Sequence, residues 1–197
     1  MRNNAMKKIL IIQGHPGKDS LCASLAQTYF TEAKNSGYDV KLLELIDLKF
    51  DLSLYGGYKS KQVFEPDLVL AQKYILEAQH LVFVYPVWWE MMPALLKGFI
   101  DRTFLPGFAF KYREKSPLPE KLLKNKTARI IITMDAPTWY YKWFRNAPGL
   151  NAFKKGTLEF CGISPVKSTL FGPVRKAPKE RIESFLKIVK ALGSKGD

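Results

Sequence analysis

Three short stretches of this 197-residue chain carry residue types that can do chemistry. The first reads Gly14-His15-Pro16-Gly17-Lys18-Asp19-Ser20-Leu21-Cys22-Ala23 and joins an apolar run to an amphipathic one. A strand leading into a helix there leaves unpaired amides and a helix dipole, which favour a phosphate. Ser20 adds a hydroxyl donor, and His15 can hydrogen-bond or, when protonated, pair with the anion. The spacing is neither G-x-x-x-x-G-K-[ST] nor G-x-G-x-x-G, which argues against NTP hydrolysis and a dinucleotide Rossmann site. An ordinary capped strand–helix turn is the plain alternative. The second stretch, Tyr85-Pro86-Val87-Trp88-Trp89-Glu90-Met91-Met92-Pro93, sets two tryptophans side by side. They offer a broad apolar wall and indole donors, suited to a flat heteroaromatic ring, or else one is core and the other an interface. The third, Met134 to Tyr141, brings Trp139, Tyr140 and Tyr141, whose hydroxyls can hydrogen-bond a ligand oxygen.

Those stretches need a frame to bring them together. Ile9-Leu10-Ile11-Ile12 is a continuous apolar run, and His80 to Tyr85 (HLVFVY) and Thr127 to Thr133 (TARIIIT) are largely apolar, the pattern of buried parallel strands. Val40–Leu45 and a short Ser164–Phe171 complete five strands. Between them fall helices over Ser20–Ser36, Pro66–Ala78, Pro93–Phe104 and about Asn151–Phe160, with Asp19 or Ser20 as the first N-cap and Gly37 as its stop. A last helix begins near Pro178, with Ile182, Phe185, Val189 and Leu192 as its stripe and Gly193 as its end. Asp47 to Glu65 reads as a long surface loop. This alternation predicts one α/β domain over 1–197, a flavodoxin-like three-layer sandwich whose five-stranded parallel sheet has the order 2-1-3-4-5. In that order ligands sit beyond the carboxyl ends of strands one, three and four, where the three chemical stretches lie.

With that frame the resemblance is specific. Tyr85 to Trp89, Pro93 to Phe104 (PALLKGFIDRTF) and Gly107-Phe108-Ala109-Phe110 resemble the flavin-binding signature of the NAD(P)H:quinone oxidoreductase family. Gly14-His15-Pro16 with Ser20 and Ala23 resembles that family's phosphate loop. The resemblance implies FMN, with FAD as the alternative, and NAD(P)H as electron donor to a quinone or similar acceptor in ping-pong fashion. It places Ser20, Leu21 and Cys22 around the flavin phosphate with His15 nearby. Pro86, Val87, Trp88 and Trp89 would line the isoalloxazine, their backbone amides facing its N5 and O4 edge. Thr133, Asp135 and Ala136 would meet the ring from the third stretch, and Tyr140 matches the family's pocket tyrosine. The family's Gly-Gly turn is replaced here by Asp135-Ala136-Pro137, and a family histidine by Asn146. A homodimer is implied too, because relatives commonly build the pocket across a twofold interface. FMN is favoured over FAD because the chain stops at Asp197, before the segments that help hold adenosine in longer relatives.

Composition narrows the remaining choices. Lys and Arg number 31 against 18 Asp and Glu, a net charge of +13 that suggests an anionic partner. The dense stretches Lys111–Arg129 and Val166–Asp197 carry no nucleic-acid motif, so steering of an anionic nicotinamide cofactor suffices. Cys22 and Cys161 are too few for a disulfide framework or a cysteine zinc site, and no metal site is expected. No apolar run reaches the ~20 residues of a membrane span. The opening MRNNAMKK lacks a signal-peptide core, so residues 1–6 read as a loose tail and the cytoplasm as the compartment. His80 opens a strand and reads as structural. Two rivals stay open: a flavodoxin-type electron carrier, and an accessory subunit of a membrane transporter.

Overall fold

The computed structural model describes residues 6–59 and 62–197. Of the expected loose tail, all but Met6 falls outside them. The apolar runs become β1 (Lys8–Gln13), β3 (His80–Pro86) and β6 (Thr127–Thr133), joined at the sheet's edges by β2 (Asp39–Glu44) and β7 (Val166–Phe171). All pair in parallel, in the order β2-β1-β3-β6-β7, which is 2-1-3-4-5 when only the strands of this sheet are counted. Strand alternation divides the core between two faces. Leu10, Ile12, Leu81, Phe83 and Tyr85 point toward α2 (Pro66–Glu77) and α3 (Ala94–Thr103). Ile9, Ile11, Val82 and Val84 point toward α1 (Leu21–Asn35) and α5 (Lys179–Lys195). Each such side chain contributes roughly 1.5–3 kcal/mol by leaving water, and covering both faces leaves the strand ends as the place for a ligand.

Three features differ from expectation. Within the charge-dense Lys111–Arg129 stretch lies an antiparallel hairpin, β4 (Phe110–Arg113) and β5 (Ser116–Lys121). Pro117 and Pro119 disguise β5, since proline is tolerated in a strand only where no ladder donor is needed. The helix expected over Asn151–Phe160 begins earlier, as α4 (Pro148–Phe153), and continues as a π-helical stretch, Lys154–Glu159. Gly193 does not end α5, which runs on to Lys195 with Gly196 as its left-handed cap. A Cβ on Gly193 would lie 2.7 Å from the Tyr29 carbonyl oxygen, so this glycine serves the close α1–α5 crossing. The long loop 47–65 is held by Arg102. Its buried guanidinium spans both Glu65 carboxylate oxygens (3.2 and 2.6 Å) and the carbonyls of Asp51 and Val63.

His80 is structural, as expected. Its Nδ1 lies 2.6 Å from the Thr127 hydroxyl, and Nε2 is buried with no partner. Burial, then the nearby Lys7 charge, pushes its pKa down to about 3. An unfolded histidine titrates near ~6.5, so below that pH the unfolded chain takes up a proton the folded chain refuses. Stability is therefore expected to fall as pH drops from about 6.5 toward 3, by up to ~1.4 kcal/mol per pH unit from this group. His80→Gln should flatten that slope in denaturant titrations at neutral and mildly acidic pH.

Candidate functional site

The loop after β1 is organised by its own side chains. Gln13 Oε1 accepts from the His15 amide (2.5 Å), and the Gly17 amide lies 2.8 Å from His15 Nδ1. An amide can only donate, so Nδ1 accepts from Gly17, although it also lies 3.1 Å from the Gly17 carbonyl oxygen, and Nε2 is the ring nitrogen left to face a ligand. Gly14 is needed for close packing, since a Cβ there would lie 3.1 Å from Leu96. Ser20 is the N-cap of α1, its hydroxyl oxygen accepting from the Ala23 amide (3.2 Å) and its carbonyl from Ser24 (3.0 Å). The amides of Leu21 and Cys22 between them have no acceptor among the described residues, and the Ser20 hydroxyl proton is still free to donate. The first turn holds no acidic residue. An anion is the natural complement of such an end. Beneath it, Cys22 Sγ lies 3.2 Å from Thr133 Oγ1 at the end of β6. Burial pushes the Cys22 thiol up to about 12, so it stays a neutral packing and hydrogen-bonding group.

After β3, the Val87 amide donates to Thr133 O (2.8 Å), and Trp88 and Met91 exchange two 2.9 Å hydrogen bonds around a two-residue turn. At its tip Trp89 and Glu90 take positive φ, 49° and 60°. The Trp89 side chain points outward and is 99% exposed, so of this residue only the backbone is placed to meet a ligand. The turn also limits the expected row of amides. Pro86 has none, those of Val87 and Trp88 are spent inside the protein, and those of Trp89 and Glu90 remain uncommitted. Trp88 stays at the site, edge-on to His15 with ring centroids 5.6 Å apart. In the loop after β6, no residue from Met134 to Trp139 has positive φ, so Asp135-Ala136-Pro137 makes this turn without glycine. It is pinned by Val174 N to Met134 O (3.1 Å) and Arg175 N to Asp135 Oδ1 (2.9 Å).

Two contiguous recesses open where these loops meet. One, of about 200 Å³, is lined by His15, Ser20, Leu21, Cys22, Pro86, Trp88 and Thr133, among others. The second, of about 180 Å³, is lined by Glu90, Ala136, Tyr140, Tyr141 and Arg145; Val87, Met134 and Asp135 border both. Eleven of the twelve residues named from sequence thus line one or the other, and Trp89 lines neither. Sequence reasoning missed Met134, Val174, Glu90 and Arg145. Val174 follows β7, and only the sheet order brings it here. The two tyrosines are now distinguished. Tyr141 is buried, its hydroxyl accepting from the Leu150 amide (3.1 Å), whereas Tyr140 is partly exposed and stacks on Phe144 (5.9 Å). A larger recess of about 280 Å³, bounded by Tyr58, Phe104, Tyr112 and Phe160, contains none of the predicted residues.

A five-stranded parallel sheet in this order, covered by helices on both faces, defines a flavodoxin-like fold. Residues 7–194 match the family described as having the flavodoxin-like fold, and the chain belongs to that family. It is 31% identical over 185 residues to a Haemophilus influenzae protein named as an NAD(P)H oxidoreductase, covering 88% of this chain and 90% of that one. It is 28% identical over 207 residues to the Cavia porcellus NAD(P)H dehydrogenase [quinone] 1, covering 91% of this chain and 74% of that one. The crystal structure of Smu.1420 from Streptococcus mutans superposes with a TM-score of 0.83 at 30% identity, over 95% of this chain and 99% of that one. The resemblance read from Gly14–Ala23 and Tyr85–Phe110 therefore points to its proper relatives.

Because the Ser20 hydroxyl caps α1, Ser20→Ala should lower folding stability by about 1 kcal/mol, as denaturant titration followed by circular dichroism measures.

Proposed function

We propose that this chain is a flavin-dependent NAD(P)H:quinone oxidoreductase. The observation that carries the reading is the pair of uncommitted amides, Leu21 and Cys22, opening on the recess that Trp88 walls. That donor set fits a phosphate, and the apolar crevice beside it fits a planar ring; the single seat favours FMN, with FAD as the alternative. A bound flavin supplies hydride acceptance and donation; the chain's residues bind, orient and shield. Leu21, Cys22 and Ser20 hold the phosphate, with the His15 Nε2 proton as a further donor. Val87 and Trp88 press on the ring, and the uncommitted Trp89 and Glu90 amides are donors for its polar edge. In the second recess the Tyr140 hydroxyl hydrogen-bonds the acceptor's carbonyl oxygen. Nicotinamide and quinone use that recess in turn, which is the structural meaning of a ping-pong cycle. The positive charge of the chain draws either nicotinamide cofactor toward it.

Beside the recess, Trp139, Trp143 and Phe144 stand exposed on one π-helical stretch, Tyr140–Phe144, and the residue before it. A second copy of the chain covering this crest would exclude water from the site, so we take the working form to be a homodimer. No helix among the described residues is long and apolar enough to cross a membrane. Two buried free thiols, Cys22 and Cys161, suit a reducing cytoplasm.

The purified protein is expected to be yellow, to bleach when NADPH is added without air, and to regain colour with menadione. A flavin that bleaches but is not reoxidised by quinone would indicate an electron carrier, and a colourless protein that refuses both flavins would overturn the proposal. Tyr140→Phe should lower kcat/KM for menadione by about tenfold, the loss of one hydrogen bond to a developing charge, with flavin content retained.

A further inference from the structure

Two turns adjoin residues that line the second recess, Glu90 and Arg145, and both have uncommon backbones. Trp89 and Glu90 form the tip of one; Asn146 and Ala147, with φ of 56° and 43°, form the other. These are four of the five non-glycine residues with positive φ among the described residues, Asn125 being the fifth. Such conformations persist only where the surroundings over-determine them, and they concentrate at functional sites. Here the surroundings act from two sides. From below, the Glu90 carbonyl is met by the Tyr141 hydroxyl (3.5 Å) and by Gly149, where any Cβ would collide with that oxygen. From above, the Glu90 carboxylate takes a two-pronged ion pair from Arg145, Nε to Oε1 at 2.5 Å and Nη2 to Oε2 at 3.2 Å.

The lower contact is buried packing and explains the turn's shape by itself. The upper one is half-exposed, and such pairs add little to folding stability. Its position is more telling than its energy. Both partners line the recess that holds Tyr140, so the ion pair is part of its wall. At about 180 Å³ that recess lies below the ~300–1,000 Å³ that drug-sized ligands occupy. On that scale it suits a compact ring, and an extended one would need the wall to give where only this exposed pair holds it.

We propose that Glu90 and Arg145 form a size-selecting latch across the acceptor recess, restricting it to compact quinones over aryl-substituted ones. This rests on the reading above that the recess takes the acceptor. Asp135 is the other carboxylate lining the recess, and its Oδ1 is already occupied by the Arg175 amide, so Glu90 is the anion available to Arg145.

The test compares p-benzoquinone with its diphenyl derivative on the flavin-loaded enzyme. Glu90→Gln and Arg145→Gln should each raise the diphenyl-to-parent ratio of kcat/KM about fivefold to tenfold, chiefly through KM of the larger acceptor. The reversed pair, Glu90→Arg with Arg145→Glu, should bring the ratio back to within twofold of wild type. Raising salt from ~20 mM to ~0.5 M should shift the wild-type ratio in the direction of the single variants, because exposed charges are screened. A ratio unmoved by either single variant, or not restored by reversal, overturns the proposal. Hydrogen exchange of the amides at 88–91 separates the two layers. Unchanged exchange in the single variants refutes the latch itself, whereas faster exchange in a protein that reduces neither quinone refutes the functional reading beneath it.

Discussion

Leu21 and Cys22 present two backbone N–H groups at the end of a buried sheet with no acceptor among the described residues. A helix start must leave several donors unpaired, and most helices satisfy some with side chains and the rest with water. Here the Ser20 side chain satisfies only the Ala23 amide, Gln13 accepts from the His15 amide, and His15 in turn takes Gly17. The loop is thus rigid around a point that it does not fill. The aromatic wall, the Thr133 floor and the neighbouring recess acquire a common purpose only if an anion occupies that point.

The same end of the sheet carries four of the five left-handed non-glycine residues among the described residues. The parallel strands and their covering helices are regular, and a glycine serves where close approach demands one, as Gly193 does between α1 and α5. At the recess the chain instead uses Trp, Glu, Asn and Ala in left-handed conformations, supported by the packing of Gly149 and Tyr141. Rigidity in the scaffold and strain at the loops is a division expected of a site that must hold precise geometry.

Much of this was legible in the chain itself. Runs such as Ile9–Ile12 and Thr127–Thr133 admit few readings except buried strands, and their order places the loops at one end. From there, Ser20 as cap and Trp88 as wall follow from local pattern. What escaped has long-range causes. The outward turn of Trp89 accompanies the packing of the Glu90 carbonyl against Gly149 and Tyr141, more than 50 residues away in sequence. Val174 reaches the site only because β7 pairs with β6. The β4–β5 hairpin hid behind two prolines and a dense run of charge.

Comparing FMN with riboflavin bears most directly on the central claim, because the two differ only in the phosphate. Calorimetric titration of the flavin-stripped protein should show riboflavin binding at least about a hundredfold more weakly, on the scale of two or more charge-assisted hydrogen bonds. Equal affinities for the two would mean that the start of α1 holds no phosphate, and would contradict the account at its base.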